Sequence, residues 1–228
     1  MSENYIYYSQ VGQDRYLNEN VFAFKETGFF VEVGASDGIN LSNTLFFEES
    51  MGWNGICIEP NPSAYRDLCI NRECIAYDCA VDIEDGQVEF TKNVGYTELL
   101  SGITKYYDPR QVSRIAEWID GNADDGGIVP NSGSSEVIQV KSRRLSSIFH
   151  ECQVTEVDYL SIDVEGAELP VIQSIDFDEV FVHVIGFEAN WRESAPPVIE
   201  YLLHHGFEHL ANVSHDVFMI NQKSEYKR

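Results

Sequence analysis

The sequence predicts an α/β protein with an open, mostly parallel β-sheet and helices on both faces. Short apolar runs alternate with helical patterns along most of the 228 residues. Several runs are apolar almost throughout, which is typical of strands that helices cover on both faces. Near the C-terminus, two strand-like runs are separated by only two residues, a connection that allows only an antiparallel hairpin. These features predict a doubly wound, Rossmann-like sheet that ends in a C-terminal antiparallel hairpin.

The strands are predicted from apolar runs that turn residues bound on each side. They are expected at residues 29–33, 55–59, 73–77, 87–91, 137–141, 157–163 and 180–187, with the hairpin at 207–213 and 216–221. Helical periodicity predicts the intervening helices at residues 13–26, 43–51, 62–70, 105–119, 167–174 and 196–205. The last helix opens with Pro196 and Pro197 and closes at Gly206, residues that favour a helix start and a helix end.

The length of the chain predicts a single domain, since 228 residues lie within the range of one α/β sheet. Residues 1–27 are expected to form an N-terminal helical segment. Residues 120–136 are rich in Gly, Asp, Asn and Ser, so they are expected to form a long flexible loop.

The chain is strongly acidic, with 15 Lys and Arg residues against 38 Asp and Glu residues and a formal net charge of −23. Such a charge repels a phosphate backbone, and we therefore expect no nucleic-acid partner.

The five cysteines form no C-x-x-C pair, which argues against a disulfide framework and a zinc knuckle. No leader pattern is visible, and no apolar run approaches the roughly 20 residues that a bilayer requires. We therefore expect a soluble protein of the reducing cytoplasm.

A glycine turn follows the first predicted strand in FFVEVGASDG, residues 29–38. In open α/β sheets, ligands bind at the carboxyl ends of the strands, and the first strand-turn-helix unit commonly forms the cradle. Gly34 and Gly38 allow close backbone approach, whereas Asp37 disfavours a diphosphate. Glu59 ends the next strand, where a carboxylate can accept hydrogen bonds from both ribose hydroxyls. S-adenosylmethionine, which has a ribose and a positive sulfonium but no phosphate, fits these conditions.

Acidic residues also lie beside this turn and at the end of a later strand. Glu32 and Asp37 are expected to organise the turn and to meet a cationic ligand, and Ser42 is expected to cap the following helix. Asp163 ends an apolar strand on the side where the cofactor is expected. Glu168 falls in the first turn of a helix, where the helix dipole favours a carboxylate, so it is interpreted as a capping residue.

Six short motifs occur in a fixed order over nearly the whole chain. They are SQVGQD (9–14), FFVEVGASDG (29–38) with SNT (42–44), GWNGICIEPNP (52–62), CAVDIEDG (79–86), LSGI (100–103) and LSIDVEGAE (160–168). Each motif is loose by itself, but the ordered set is specific. With these motifs the sequence resembles the FkbM-type methyltransferase family, a branch of the class I S-adenosylmethionine-dependent enzymes.

The resemblance implies a seven-stranded sheet with a reversed last strand. It also implies O-methylation of a hydroxyl on a sugar, a glycan or a similar small-molecule acceptor. Residue by residue, it implies that Gly34, Ala35, Ser36, Asp37 and Gly38 hold the methionine part of the cofactor, that Glu59 holds the ribose, and that Asp78, Cys79 and Ala80 border the adenine. Gln13 and Asn43 match positions of the family pattern and are included in the expected cofactor site.

Methyl transfer to a hydroxyl requires the protein to align the acceptor oxygen and to help remove its proton. The candidate bases are Asp163, Glu188 and His215, which follow predicted strands near the expected cofactor. The oxygen ligands Asp163, Glu188 and Asn190 could together hold Mg²⁺. The sequence favours a reaction without a divalent cation, because hard cations need more ligands than it visibly gathers.

Two other classes of protein share the expected sheet. A short-chain NAD-dependent oxidoreductase is disfavoured because no Tyr-x-x-x-Lys pair is found and because Ala35 and Asp37 do not suit a dinucleotide. A non-catalytic nucleotide-binding module that has kept the cradle and lost the chemistry is the other alternative. Binding of S-adenosylmethionine or of NAD distinguishes the first alternative, and a methyl-transfer assay distinguishes the second.

Overall fold

Strands and helices alternate along the chain in the computed structural model, which describes residues 5–120, 133–191 and 193–227. The strands are β1 (Phe29–Val33), β2 (Asn54–Ile58), β3 (Ile75–Tyr77), β4 (Ala80–Val81), β5 (Gly86–Val94), β6 (Gly102–Ile103), β7 (Ser134–Arg143), β8 (Glu156–Ile162), β9 (Phe181–Glu188), β10 (Phe207–Val213) and β11 (Asp216–Asn221). The helices are α1 (Gln13–Leu17), α2 (Leu45–Met51), α3 (Pro62–Asn71), α4 (Pro109–Ile119), α5 (Leu145–Cys152), α6 (Glu168–Gln173) and α7 (Ala195–His204). A π-helical segment at Asn18–Phe22 continues α1, and 3-10 turns lie at Gly95–Leu100 and Thr104–Tyr106.

The central layer is a seven-stranded sheet with the strand order β10-β11-β9-β8-β1-β2-β3. The neighbours β3, β2, β1, β8 and β9 are parallel, whereas β11 is antiparallel to both β9 and β10. This arrangement confirms the predicted α/β class and the C-terminal antiparallel hairpin. In the ladders, Val33 is level with Ile58 of β2 and with Ile162 of β8. The carboxyl ends of β1, β2 and β8 therefore lie side by side.

Both faces of the central sheet are buried, because the side chains of β1 alternate between two apolar clusters. Val31 and Val33 belong to one cluster, with residues of β2, β8, β9 and α5. Phe30 belongs to the other cluster, which is rich in aromatic rings. There, the ring of Trp53 lies 4.9 Å from that of Phe22. Full burial of such side chains stabilises the fold by roughly 1.5 to 3 kcal/mol each, which explains why the strands are apolar nearly throughout.

A second sheet of four strands, with the order β4-β7-β5-β6, stands apart from the central one. The strands predicted at 87–91 and 137–141 exist, but they belong to this sheet, so the expectation that they join the parallel sheet is wrong. They pair with each other antiparallel, from Gly86 opposite Ser142 to Val94 opposite Ser134. Near the end of β7, exposed Gln139 and Lys141 alternate with buried Val140 and Ser142, as in a strand with one face toward solvent.

Several element boundaries differ from the predicted ones. Helix α1 and its π-helical continuation end at Phe22, and α4 begins at Pro109 because the side chain of Asp108 accepts a hydrogen bond from the amide of Arg110. Helix α5, which connects β7 of the second sheet to β8 of the central sheet, was not predicted. Strand β7 begins at Ser134, within the loop expected at 120–136, and residues 121–132 of that loop lie outside the described part of the chain.

Within the described ranges, no helix combines the length and the apolar composition that a bilayer span requires.

Candidate active site

A pocket opens at the carboxyl ends of β1, β2 and β8. The strand ends are held together here, since the amide of Asp163 donates to the carbonyl of Val33 and the amide of Gly34 donates to that of Ile58, both at 3.0 Å. The second sheet closes one side of the pocket with Phe90 and Ile103. The pocket thus lies where the sequence predicts ligand binding in an open α/β sheet.

The turn after β1 is built on a glycine that no other residue could replace without strain. Gly34 has φ +87°, a left-handed conformation, and a Cβ atom built on it would lie only 1.8 Å from the carbonyl oxygen of Asp163. Gly38 closes the turn, again at positive φ. Between them, the carboxylate of Asp37 accepts hydrogen bonds from the amides of Ile39 and Asn40 at 3.0 and 2.8 Å. The predicted role of Asp37 in organising the turn agrees with these contacts.

Glu59 is buried at the mouth of β2, where backbone amides hold its carboxylate. Its Oε2 accepts a 2.9 Å hydrogen bond from the amide of Ser36, and its Oε1 accepts one of 2.7 Å from the amide of Asn61. Burial raises the pKa of Glu59 to about 7, although these two hydrogen bonds act in the opposite direction. Because Glu59 also lines the pocket, its carboxylate is fixed where a ligand can reach it.

Glu32 lies on the face of β1 opposite Val33, and it meets protein groups on every side. Its carboxylate accepts hydrogen bonds from the hydroxyls of Ser42 and Thr44 and pairs with the buried guanidinium of Arg72, whose Nη1 is 3.3 Å away. Ser42 Oγ also accepts from the amide of Leu45 at the start of α2. Glu32 therefore organises the SNT segment, and its charge is matched by Arg72.

Gln13 and Asn43, which the family pattern places in the cofactor site, occupy two different positions. The side-chain amide of Gln13 connects two segments. Its Oε1 accepts a 2.9 Å hydrogen bond from the backbone amide of Val11, and its Nε2 donates to the carboxylate of Asp216 in β11. The backbone amide of Asn43 donates to Glu32 at 2.7 Å. The side-chain oxygen of Asn43 is buried and finds no hydrogen-bond partner among the described residues.

The predicted adenine-binding residues divide into two groups. Cys79 and Ala80 are buried and line the pocket. Asp78 is exposed outside the lining, where its carboxylate pairs with Lys141 at 3.1 Å. Of the predicted methionine-binding turn, Gly34 lines the pocket, whereas Ala35, Ser36, Asp37 and Gly38 are outside the lining.

Carboxylates of two neighbouring strand ends converge beside the pocket. Asp163 and Glu165 follow β8, Glu188 ends β9, and one oxygen of each lies within 4.8 Å of the others. The amide of Asn190 donates to Glu188 at 2.6 Å and to Glu165 at 3.1 Å. Asp216 stands opposite Glu188 in the antiparallel ladder, so a fourth acid borders the group. We call Asp163, Glu165 and Glu188 the carboxylate cluster.

Burial and mutual repulsion shift the titration of the carboxylate cluster. The pKa of Asp163 is raised well above its ordinary value, first by desolvation and then by the charge of Glu188. Its side chain remains accessible to solvent while protein atoms surround it, as at the floor of a cleft. Desolvation also raises the pKa of Glu165, with Asp163 as the next cause, and raises the pKa of Glu188 to about 7. Burial and close spacing thus disfavour the ionised forms of these three carboxyl groups.

The candidate bases are not equally placed. Asp163 lines the pocket, and Glu188 lies beside it in the carboxylate cluster. His215 is exposed in the turn between β10 and β11, and its carbonyl accepts a hydrogen bond from the amide of Ala189, just after β9. The structure therefore brings Asp163 and Glu188 together and leaves His215 at the rim.

Two residues of the site were not predicted as functional. Glu165 appears in the sequence only as a turn residue, yet its positive φ of 58° turns its side chain toward the cluster. Gln111, on α4, donates from Nε2 to Glu165 at 2.7 Å. No local pattern marks Gln111, because the second sheet and α4 reach the site only through long-range packing.

Comparison with known proteins gives one family match. The model of the methyltransferase FkbM domain matches residues 32–209. The comparison with curated proteins gives no significant match.

The comparison with solved structures gives several matches, which include the following three. An FkbM methyltransferase from Methylobacillus flagellatus KT is 13% identical, with a TM-score of 0.51, and the match covers 93% of this chain and 48% of that one. This chain therefore spans about half the length of that protein. A precorrin-6y C5,15-methyltransferase from Geobacter metallireducens GS-15 is 11% identical over 96% of this chain and 90% of that one, with a TM-score of 0.45. TrmK of M. capricolum, solved with S-adenosyl-homocysteine, is 7% identical over 91% of this chain and 68% of that one, with a TM-score of 0.40.

Proposed function

The chain belongs to the FkbM methyltransferase domain family, and on that premise we propose that it methylates a hydroxyl oxygen of a sugar, a glycan or a similar small molecule, with S-adenosylmethionine as the donor. The observation that carries the proposal is the fixed carboxylate of Glu59 in the pocket at the ends of β1 and β2. In sheets of this kind, a carboxylate in that position accepts the ribose hydroxyls of a nucleoside.

The residues around the pocket suit such a nucleoside. Gly34 leaves no Cβ between the turn and the carbonyl of Asp163, so the backbone lies close to the pocket. Apolar side chains from both sheets, including Val33 of the central sheet and Phe90 and Ile103 of the second, form walls against which a flat purine ring can pack. No Lys or Arg belongs to the lining, which agrees with a ligand that carries no phosphate.

The carboxylate cluster borders the same pocket through Asp163. When bound, S-adenosylmethionine supplies a methyl carbon that is already attached to a positively charged sulfur leaving group. The acceptor oxygen forms its new bond to that carbon, the carbon–sulfur bond breaks with its electron pair on sulfur, and the hydroxyl proton passes to the protein. Asp163 and Glu188 are the proton acceptors nearest the pocket, and His215 at the rim is the third candidate.

The acceptor class follows from the polar groups around the carboxylate cluster. Carboxylates and the amide of Asn190 can hydrogen-bond to several hydroxyls of one molecule, as a sugar requires. Bonds to neighbouring hydroxyls would fix which oxygen faces the methyl group. This supports a polyhydroxylated acceptor over an apolar one.

The proposal is tested by binding and turnover measured separately. Calorimetry compares S-adenosylmethionine with NAD, and we expect binding of the first only. A methyl-transfer assay with a labelled methyl group then screens glycosides and glycans. Binding of NAD in place of S-adenosylmethionine would overturn the methyltransferase proposal in favour of an oxidoreductase. Tight S-adenosylmethionine binding without transfer to any acceptor of the panel would favour a non-catalytic module.

A further inference from the structure

The carboxylate cluster has no cationic partner within the described part of the chain. None of the ion pairs found there includes Asp163, Glu165 or Glu188. Arg114 lies close enough to influence Glu165 electrostatically, but it makes no contact at ion-pair distance in the described structure. Grouped acids without a countercharge repel one another when they are ionised, and either a bound proton or a bound cation relieves that repulsion.

A buried amide beside the cluster is also left without a partner. Gln111 is only 2% exposed, and its Nε2 contacts Glu165 at 2.7 Å. Its Oε1 is fully buried and has no hydrogen-bond partner among the described residues. An unpaired buried amide oxygen costs roughly 1 to 3 kcal/mol, so it marks a place where a donor is missing. A water molecule bound to a metal ion would be such a donor.

We propose that a hard divalent cation, Mg²⁺ or Ca²⁺, binds among Asp163, Glu165 and Glu188. Oxygen atoms 4.8 Å apart or less fit such an ion. Ligands on opposite sides of Mg²⁺ are about 4.2 Å apart and those of Ca²⁺ about 4.8 Å apart, from their usual metal–oxygen distances. The three carboxylates would supply part of the coordination sphere, and water molecules would supply the rest.

The amides complete the surroundings of the cation. Asn190 donates to Glu165 and Glu188 and so orients two of the three ligands. Gln111 donates a hydrogen bond from Nε2 to Glu165, and its Oε1 would accept a hydrogen bond from a metal-bound water. Carboxylate ligands in metal sites are commonly held by such outer hydrogen bonds. The sequence alone indicated too few ligands because neither Glu165 nor Gln111 could be assigned to the site.

The catalytic role of the cation rests on the proposed function, whereas the binding of the cation does not. An acceptor oxygen that replaces one of the waters would be fixed next to the pocket, and the cation would lower the pKa of its hydroxyl. The proton would then leave more easily, and His215 at the rim is exposed to receive it. Turnover should accordingly fall in a chelator and recover on addition of Mg²⁺.

The test measures cation binding directly, with Mn²⁺ as a paramagnetic probe and metal-depleted full-length protein. Titration in about 0.15 M KCl screens the acidic surface, so that only a formed site retains Mn²⁺. We expect one Mn²⁺ per chain, displaced by excess Mg²⁺ or Ca²⁺. Glu165→Gln keeps the size of the side chain and should weaken binding roughly 10-fold or more.

The matched control is Asp178→Asn, which removes one acidic charge from an exposed turn before β9. It lies beyond the end of β9 that is opposite Glu188, and the strand itself is roughly 23 Å long by the rise per residue. Asp178→Asn should bind Mn²⁺ as the wild type does. Equal weakening in both variants, or unchanged binding in Glu165→Gln, would overturn the cation site.

Thermal unfolding with and without metal is a second test of the cation site, and a folding defect would not give the result expected from it. Without metal, Glu165→Gln should unfold at a higher temperature than the wild type, because it relieves repulsion. With Mg²⁺ the order should reverse. If Mn²⁺ binds but S-adenosylmethionine does not, the cation site stands and the proposed function fails. If S-adenosylmethionine binds and turnover is unchanged in a chelator with no Mn²⁺ bound, the cation site fails and the proposed function stands.

Discussion

The backbone amide of Ser36 donates a 2.9 Å hydrogen bond to Oε2 of Glu59, which joins the turn after β1 to the end of β2. The second carboxylate oxygen of Glu59 is held by the amide of Asn61 at 2.7 Å. A single side chain thus sets the distance between the two strand ends that form the nucleoside pocket. This relationship gives the first two predictions.

Replacing Glu59 by alanine should weaken binding of S-adenosylmethionine. Hydrogen bonds to a charged group are worth roughly 1.5 to 3 kcal/mol, and their loss predicts a 10- to 100-fold rise in the dissociation constant, by about 1.4 kcal/mol per factor of ten. Calorimetry measures this. Glu84→Ala, at an exposed position, is the control and should bind normally. Unchanged affinity in Glu59→Ala would remove the ribose contact from the proposal.

The titration of Glu59 predicts a pH dependence of stability. Burial raises its pKa from 4.5 to about 7, so the folded protein retains this proton while the unfolded chain releases it. As pH rises from 4.5 through 7, the wild type should therefore lose stability, by on the order of 3 kcal/mol from this group. Glu59→Gln lacks the effect. Urea unfolding at pH 5 and pH 8 should show Glu59→Gln gaining on the wild type at the higher pH, and a pH-independent difference would contradict the assignment.

Gly34 should tolerate no side chain. Alanine there must adopt a left-handed conformation and also overlap the carbonyl oxygen of Asp163. We expect Gly34→Ala to lower the free energy of unfolding by about 3 kcal/mol or more. Gly52→Ala is the matched control, because Gly52 has φ +68° and open space around its Cβ position. It should cost only about 1 to 2 kcal/mol, and equal losses in the two variants would show that the close approach is unimportant.

The buried guanidinium of Arg72 should be essential for folding. It pairs with Glu32 and, at 2.6 Å, with Glu48, and its side chain is fully buried. Arg72→Met keeps the apolar stem but leaves Glu32 without a countercharge, so the free energy of unfolding should fall by roughly 3 to 5 kcal/mol.

The comparison for Arg72 is Lys141→Met, at an ion pair with Asp78 in which both side chains are more than half exposed. Such a pair contributes about 0 to 1 kcal/mol. Chemical denaturation of both variants gives the contrast. A similar small loss in each would mean that Glu32 finds another partner.

The central sheet was predictable because its signals are local. The apolar run at β1, the glycine turn after it and the two-residue hairpin turn at Ser214 and His215 each lie within a few residues. The pairing of β5 with β7 was not predictable, because the paired residues Val88 and Val140 are separated by more than 50 residues of sequence. The polar residues that alternate along β5 and β7 were the available sign that these strands have one solvent face.

The site divides in the same way. Glu59 and Asp163 could be predicted, since each ends an apolar strand at the edge where ligands bind. Glu165 was visible only as a turn residue, and Gln111 not at all, because α4 reaches the cluster through the second sheet. Glu32 was expected to meet a cationic ligand, but its cationic partner is Arg72, which lies 40 residues further along the chain. Countercharges between distant segments are set by tertiary packing, which no short motif records.

The pairing of Val94 with Ser134 means that the whole excursion between them, α4 and Gln111 included, departs from and returns to a single point. Within this excursion, β6 pairs again with β5 and Ile103 lines the pocket, so the part beyond β6 is the part that can be lengthened, shortened or exchanged without altering a ladder. The nucleoside pocket, in contrast, depends on strand ends that cannot shift independently. Changes in this segment can therefore alter which acceptor binds beside the carboxylates while the central sheet stays the same. Exchanging the segment between homologous proteins is the engineering route that the architecture offers.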